Sequence, residues 1–114
     1  MALLGRRGSK AKADAPTATN VDAALAGVVA INLAQPRMRV KVTGQVMRMR
    51  ARPTNGLPSL AVTISDDTGS VVAVWTGRRD IGGVTLGRKI VVEGVATRGV
   101  KLLELTNPEY TLLP

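Results

Sequence analysis

Arg48, Arg50 and Arg52 recur at every second position of the segment RVKVTGQVMRMRAR (39–52), and Arg39 and Lys41 do the same on the opposite parity. In an extended chain, alternate side chains share a face at a pitch of about 6–7 Å. Cations at that pitch can follow the phosphates of a nucleic-acid strand, and each phosphate neutralised releases condensed counterions. The plainer reading of Arg48, Arg50 and Arg52 is a solvated strand edge, or bases that pair with acids such as Glu93 and Glu104 on neighbouring strands.

The distribution of charge narrows the choice. The net charge is +8, with 16 basic and 8 acidic residues. Residues 37–52 carry six bases (Arg37, Arg39, Lys41, Arg48, Arg50, Arg52) and no acid, whereas residues 53–114 carry six of each. An excess confined to one short segment points to a polyanionic partner more strongly than a high isoelectric point does. A basic face that only aids solubility is the alternative.

Other candidates are sparser. Trp75 is the sole tryptophan, and there is one Tyr and no Phe. It could stack on a base or fill the core of a valine-built domain. Arg78 and Arg79 beside it could hold phosphate, or pair locally with Asp80. Tyr110 reads as closure of one end of the core. Asp66-Asp67 opens the turn DDTG and reads as turn chemistry rather than as a metal site.

The chain contains no Cys and no His. That removes disulfide, thiol and His-based chemistry and the ordinary zinc ligands. No nucleophile–base pair, P-loop or dinucleotide fingerprint is present, so we expect no enzyme, no cofactor and no metal. No apolar run reaches membrane-spanning length. Arg6-Arg7 is not followed by the apolar region of an export signal. The expected location is cytoplasmic, at the nucleoid if the partner is DNA.

These side chains require a scaffold of strands. Residues 1–19 read as a disordered basic tail. Residues 20–35 read as a helix packing on the core, capped at Thr19 or Asn20 and ended by Pro36. From residue 37 the texture is valine-rich strands with glycine punctuation. The first, about 38–52, places Val40, Val42, Gly44 and Val46 on one face, then Met47, Met49 and Ala51 on the other parity. That slip predicts a β-bulge or sharp coil between Gly44 and Met47, with both sets of apolar residues kept in the core. Further strands are expected at 60–65, 70–76, 88–96 and 100–106, with a hairpin at 66–69, a glycine-rich connection at 77–87 and an extended tail after 107.

Five strands, the first long and bent, give an all-β fold class: a five-stranded OB-fold Greek-key barrel over residues 37–114. An SH3-like barrel is the structural competitor. The collinear stretches VTGQV (42–46), LAVTISDDTG (60–69), GRRDIGG (77–83), GRKIVVEG (87–94) and NPEY (107–110) resemble the OB-fold nucleic-acid-binding family. They are similar to small stand-alone actinobacterial OB proteins and to the wedge domain of RecG-type branched-DNA helicases. The resemblance covers about 38–112. It implies a nucleic-acid groove over the second and third strands, rimmed by the first-to-second and fourth-to-fifth loops. Here that comprises Arg48, Arg50 and Arg52 leading into loop 53–59, Trp75, and Arg98 and Lys101 at the fourth-to-fifth turn. The chain departs from the family in its shortage of aromatics and in lacking a clear helix between the third and fourth strands, so helix 20–35 is placed to plug the barrel in its stead.

The expected function is non-catalytic, sequence-tolerant and salt-dependent binding of single-stranded or branched DNA, with DNA favoured over RNA and no membrane partner. The alternative is a protein-interaction OB module, an accessory subunit of a larger protein or ribonucleoprotein complex, or a self-associating domain.

Overall fold

The computed structural model describes residues 17–114. They are mainly β-structure, with strands β1 (Arg39–Ala51), β2 (Ser59–Ser65), β3 (Ser70–Thr76), β4 (Lys89–Arg98), β5 (Leu103–Thr106) and β6 (Glu109–Leu112). The order in the sheet is β1-β2-β3-β5-β4-β6, and β1 also pairs with β4. The first five strands therefore form a ring, with β6 pairing along the edge of β4 opposite β1. Among these six strands only the β3–β5 pairing is parallel.

β1 holds the ring together because it serves two neighbours in turn. Residues 39–45 pair with β4, and residues 45–51 pair with β2. The handover falls at Gly44 and Gln45. A Cβ at Gly44 would lie 2.3 Å from the carbonyl oxygen of Ser65, so no other residue fits where the backbones cross. The register then shifts between Val46 and Arg48, which leaves Met47 as the extra residue of a bulge. The expected slip is therefore present, and it has the expected consequence for the bases: Arg48 and Arg50 stay outward. Met47 differs from expectation. As the bulged residue it turns out of the sheet and is 58 % exposed, while Met49 packs against the core; Ala51, at the end of the strand, is exposed as well.

The interior is built from β-branched side chains at alternate positions, as a half-buried pleated surface favours. Val40, Val42 and Val46 meet Leu60, Val62 and Ile64 of β2, Val71 and Ala73 of β3, Ile90 and Val92 of β4, and Leu105 of β5. The segment after residue 107, expected as an extended tail, pairs as β6 with β4 and adds Leu112 to the core.

The expected helix 20–35 is only partly formed. It comprises α1 (Val21–Leu25) and a 3-10 turn at Ile31–Leu33. The intervening chain leaves the helical region at Ala26, and Gly27 adopts φ 82°. The β-branched pair Val28-Val29 follows, and Val29 donates its N–H to the Lys41 carbonyl instead of continuing a helix. The 3-10 turn is pinned by Asp66, whose carboxylate accepts from the N–H groups of Ile31, Thr68 and Gly69 and from the Thr68 hydroxyl. Burial raises the pKa of Asp66, but these hydrogen bonds outweigh it and hold the group below its ordinary value. Asp66 thus acts in the turn and seats Ile31 in the core.

Most of the expected tail, residues 1–16, lies outside the described residues. Its last part does not run free: Thr17 bridges to Leu112, and Ala18 donates to the Leu112 carbonyl. Among the described residues no helix is long and apolar enough to cross a membrane.

Candidate nucleic-acid interface

The outward faces of β2 and β3 carry small and apolar residues. Cross-strand rows run Arg48–Thr63–Val72–Glu104 and Arg50–Ala61–Val74–Thr106 from β1 across β2 and β3 to β5. On this surface lies an open groove of about 350 Å³. Ala61, Thr63 and Val72 line its floor, Arg48, Arg50 and Arg52 one wall, and Val100, Lys101 and Leu102 of the β4–β5 turn the other. Four cations and one carboxylate, Glu104, face it, for a net charge of +3.

The cations are not equivalent. Among the described residues, Arg48 and Arg50 are exposed and form no ion pair. Arg52 is committed: its Nη1 and Nη2 donate to the two carboxylate oxygens of Glu104 at 2.9 and 3.0 Å. This bond links the end of β1 to β5 across the groove that both residues line. The hydrogen bonds from Arg52 hold the Glu104 carboxyl below its ordinary value despite burial, and the guanidinium charge adds to the effect. The same pair raises Arg52. Gly99 completes the arrangement. A Cβ there would lie 2.3 Å from the Leu102 carbonyl oxygen and 2.9 Å from a Glu104 carboxylate oxygen.

Other candidate residues lie elsewhere. Arg39 pairs with Glu93 at 3.4 Å and Glu109 at 3.5 Å on the β4 side of the ring. Lys41 borders a separate depression of about 470 Å³, where Glu93 and Glu109 outnumber it. That depression is larger, but its charge does not suit a polyanion. Arg78 and Arg79 are exposed in the β3–β4 connection, and Arg98 is exposed at the end of β4; none of the three lines the groove.

Trp75 is not placed to stack on a base, contrary to the expectation from the sequence. It points inward with Val71 and Ala73, is 5 % exposed, and donates its Nε1–H to the Pro108 carbonyl at 3.3 Å. Tyr110 packs edge-on against it, with ring centroids 5.6 Å apart. Burial raises the Tyr110 hydroxyl pKa, and the charge of Arg78 opposes that rise.

The sequence suggests Glu104 only as an acid that could pair with the arginines, and Arg52 is the one it pairs with; the groove floor is not among the site residues expected from it. The outward alternation of Ala61 and Thr63 in LAVTIS and of Val72 in SVVAVWT was the available signal. Comparison with known protein families gives no match, and comparison with curated proteins gives none either.

Proposed function

We propose that this is a non-catalytic nucleic-acid-binding protein that holds the sugar-phosphate backbone of a single strand in the groove over β2 and β3. The observation that carries the reading is Arg48 and Arg50, two adjacent outward arginines without carboxylate partners among the described residues, beside an open groove that Lys101 also faces. We read the ring as a five-stranded OB-type Greek-key barrel. Its strand order, the bulged first strand shared between two neighbours and the parallel β3–β5 pairing support that reading. In such a barrel this face lies between the β1–β2 and β4–β5 loops.

The groove offers cations for phosphates and an apolar floor for sugars and bases, but no aromatic platform. Binding is therefore weak in base discrimination and strong in salt dependence. Single-stranded DNA, or the unpaired arm of a branched DNA, is the favoured ligand.

The test is titration of an end-labelled single-stranded oligonucleotide over a salt series. An external label is required because Trp75 is buried. We expect binding at low salt that falls steeply as salt rises, and a large loss with Arg48→Ser and Arg50→Ser together. Full affinity in that double variant would move the site elsewhere. No binding at low salt by the wild-type chain would favour a protein-interaction module.

A further inference from the structure

Resting on that reading of the groove, we propose that Glu104 is a built-in competitor for phosphate at Arg52, so that a bound strand must displace a carboxylate to use that arginine. Three features of the site support this.

The first is geometry. A guanidinium offers a planar fork of N–H donors that suits a carboxylate or a phosphate equally well. Glu104 already takes that fork with both oxygens, at 2.9 and 3.0 Å. It therefore occupies the Nη1/Nη2 edge, through which Arg52 would otherwise take a phosphate bidentately, and neutralises the guanidinium charge.

The second is placement. Glu104 projects from β5 in the same cross-strand row as Arg48, Thr63 and Val72, and its side chain is only 18 % exposed. Gly99 leaves room for it: a Cβ there would crowd both the Glu104 side chain and the neighbouring carbonyl. The carboxylate is thus held within the groove wall, not waving at its edge.

The third is asymmetry. Arg48 and Arg50 have no such partner among the described residues. Among the described residues, an arriving strand meets Arg48, Arg50 and Lys101 without ion-pair partners and Arg52 occupied. Exchanging one anion for another at Arg52 gains little, and it leaves the displaced carboxylate facing a polyanion. The groove consequently retains ligands that can engage the free cations together, and it discriminates against isolated phosphates.

The experiment uses the full chain and a labelled single-stranded oligodeoxythymidylate of one fixed length, with affinity measured across a salt series. Glu104→Gln should bind several-fold more tightly at low salt. Its plot of log affinity against log salt should steepen by about 0.7, the increment for one more phosphate neutralised on a single strand. Adding Arg52→Gln to that variant should restore the wild-type slope. Arg52→Gln alone should leave the slope unchanged. Glu93→Gln, which removes an acid on the other side of the ring, should change neither affinity nor slope.

An unchanged slope in Glu104→Gln overturns the proposal, as does an equal gain from Glu93→Gln, because a general charge effect would then suffice. A slope reduced by Arg52→Gln alone also overturns it, since Arg52 would then already be free to bind phosphate; this arm does not depend on how well the Glu104 variant folds. No binding by any variant at low salt overturns the polyanion reading itself, and the role of Glu104 with it.

Discussion

The two halves of β1 have nearly the same composition and opposite electrostatic outcomes. In the first half, Arg39 and Lys41 project beside β4; Arg39 pairs with Glu93 of β4 and Glu109 of β6, and Lys41 lines the depression that the two acids share. In the second half, Arg48 and Arg50 project beside β2, whose outward residues Ala61 and Thr63 carry no charge. One strand thus presents a neutralised surface and a basic one, divided at Gly44. A run of bases in a sequence is a site only where the neighbouring strand withholds its acids. The local potential depends on cross-strand partners, not on the count along the chain.

Gly44 is where this contrast can be broken most severely. Gly44→Ala places a methyl group against the Ser65 backbone, which cannot yield without parting β1 from β2. We predict a loss of about 3 kcal/mol in denaturant unfolding, at the upper end for overpacking a close contact. A loss below about 1 kcal/mol would mean that the crossing is looser than described.

The contrast in binding is expected to be nearly as large. Arg48→Ser with Arg50→Ser should weaken oligonucleotide binding about 10- to 100-fold at low salt and flatten the salt dependence by about 1.4, two single-strand phosphate contacts. The matched pair Arg39→Ser with Lys41→Ser removes the same formal charge from the other half and should change affinity by less than about threefold. Equal losses in the two variants would show that only net charge matters.

A smaller effect separates the two kinds of ion pair by pH. The Glu104 carboxyl is depressed in the folded chain, chiefly by its hydrogen bonds from Arg52. Its contribution to stability is therefore fully present above its ordinary value of 4.5 and is lost as pH falls through the lower folded value. Wild-type protein should lose stability more steeply than Arg52→Gln below that point. Because Arg52 is 41 % exposed, the difference should stay under about 1 kcal/mol. Identical acid profiles would deny the pair any energetic role. The smallest change is expected from Arg39→Ala. Its partners Glu93 and Glu109 are 36 % and 78 % exposed, so thermal or denaturant stability should shift by no more than about 0.5 kcal/mol.

The bent first strand was legible because its parity change is written in the residues: Val40, Val42 and Val46 inward, then Arg48 and Arg50 outward across one extra position. The strand segments were legible for the same reason of alternation. The fate of each base was not. Arg39 and Arg52 lie 54 and 52 positions from their acids, Glu93 and Glu104, and only the register of a closed ring brings them together. Trp75 was ambiguous because β3 is apolar on both faces, Val72 and Val74 on one and Val71 and Ala73 on the other, and even Val74 is buried, so alternation could not say which face turned to the core. Alanine content and an apolar stripe favour a helix over 20–35, but Gly27 at φ 82° and the valines after it end it at Leu25. In the folded chain Val29 bonds to β1 instead, through the Lys41 carbonyl.

Sharing β1 between two neighbours also governs how the molecule comes apart. A hairpin of β2 and β3 alone would expose the apolar face it now turns toward β4, and β4 alone would lose the strand that aligns it. Neither side can open while the other stays intact. Heat or denaturant should therefore unfold the domain in one cooperative step, with Trp75 emission and backbone circular dichroism moving together. The closing pairs join residues far apart in sequence, Val72 with Glu104 and Val40 with Gly94, so refolding belongs to the slow, millisecond-to-second class of β-topologies.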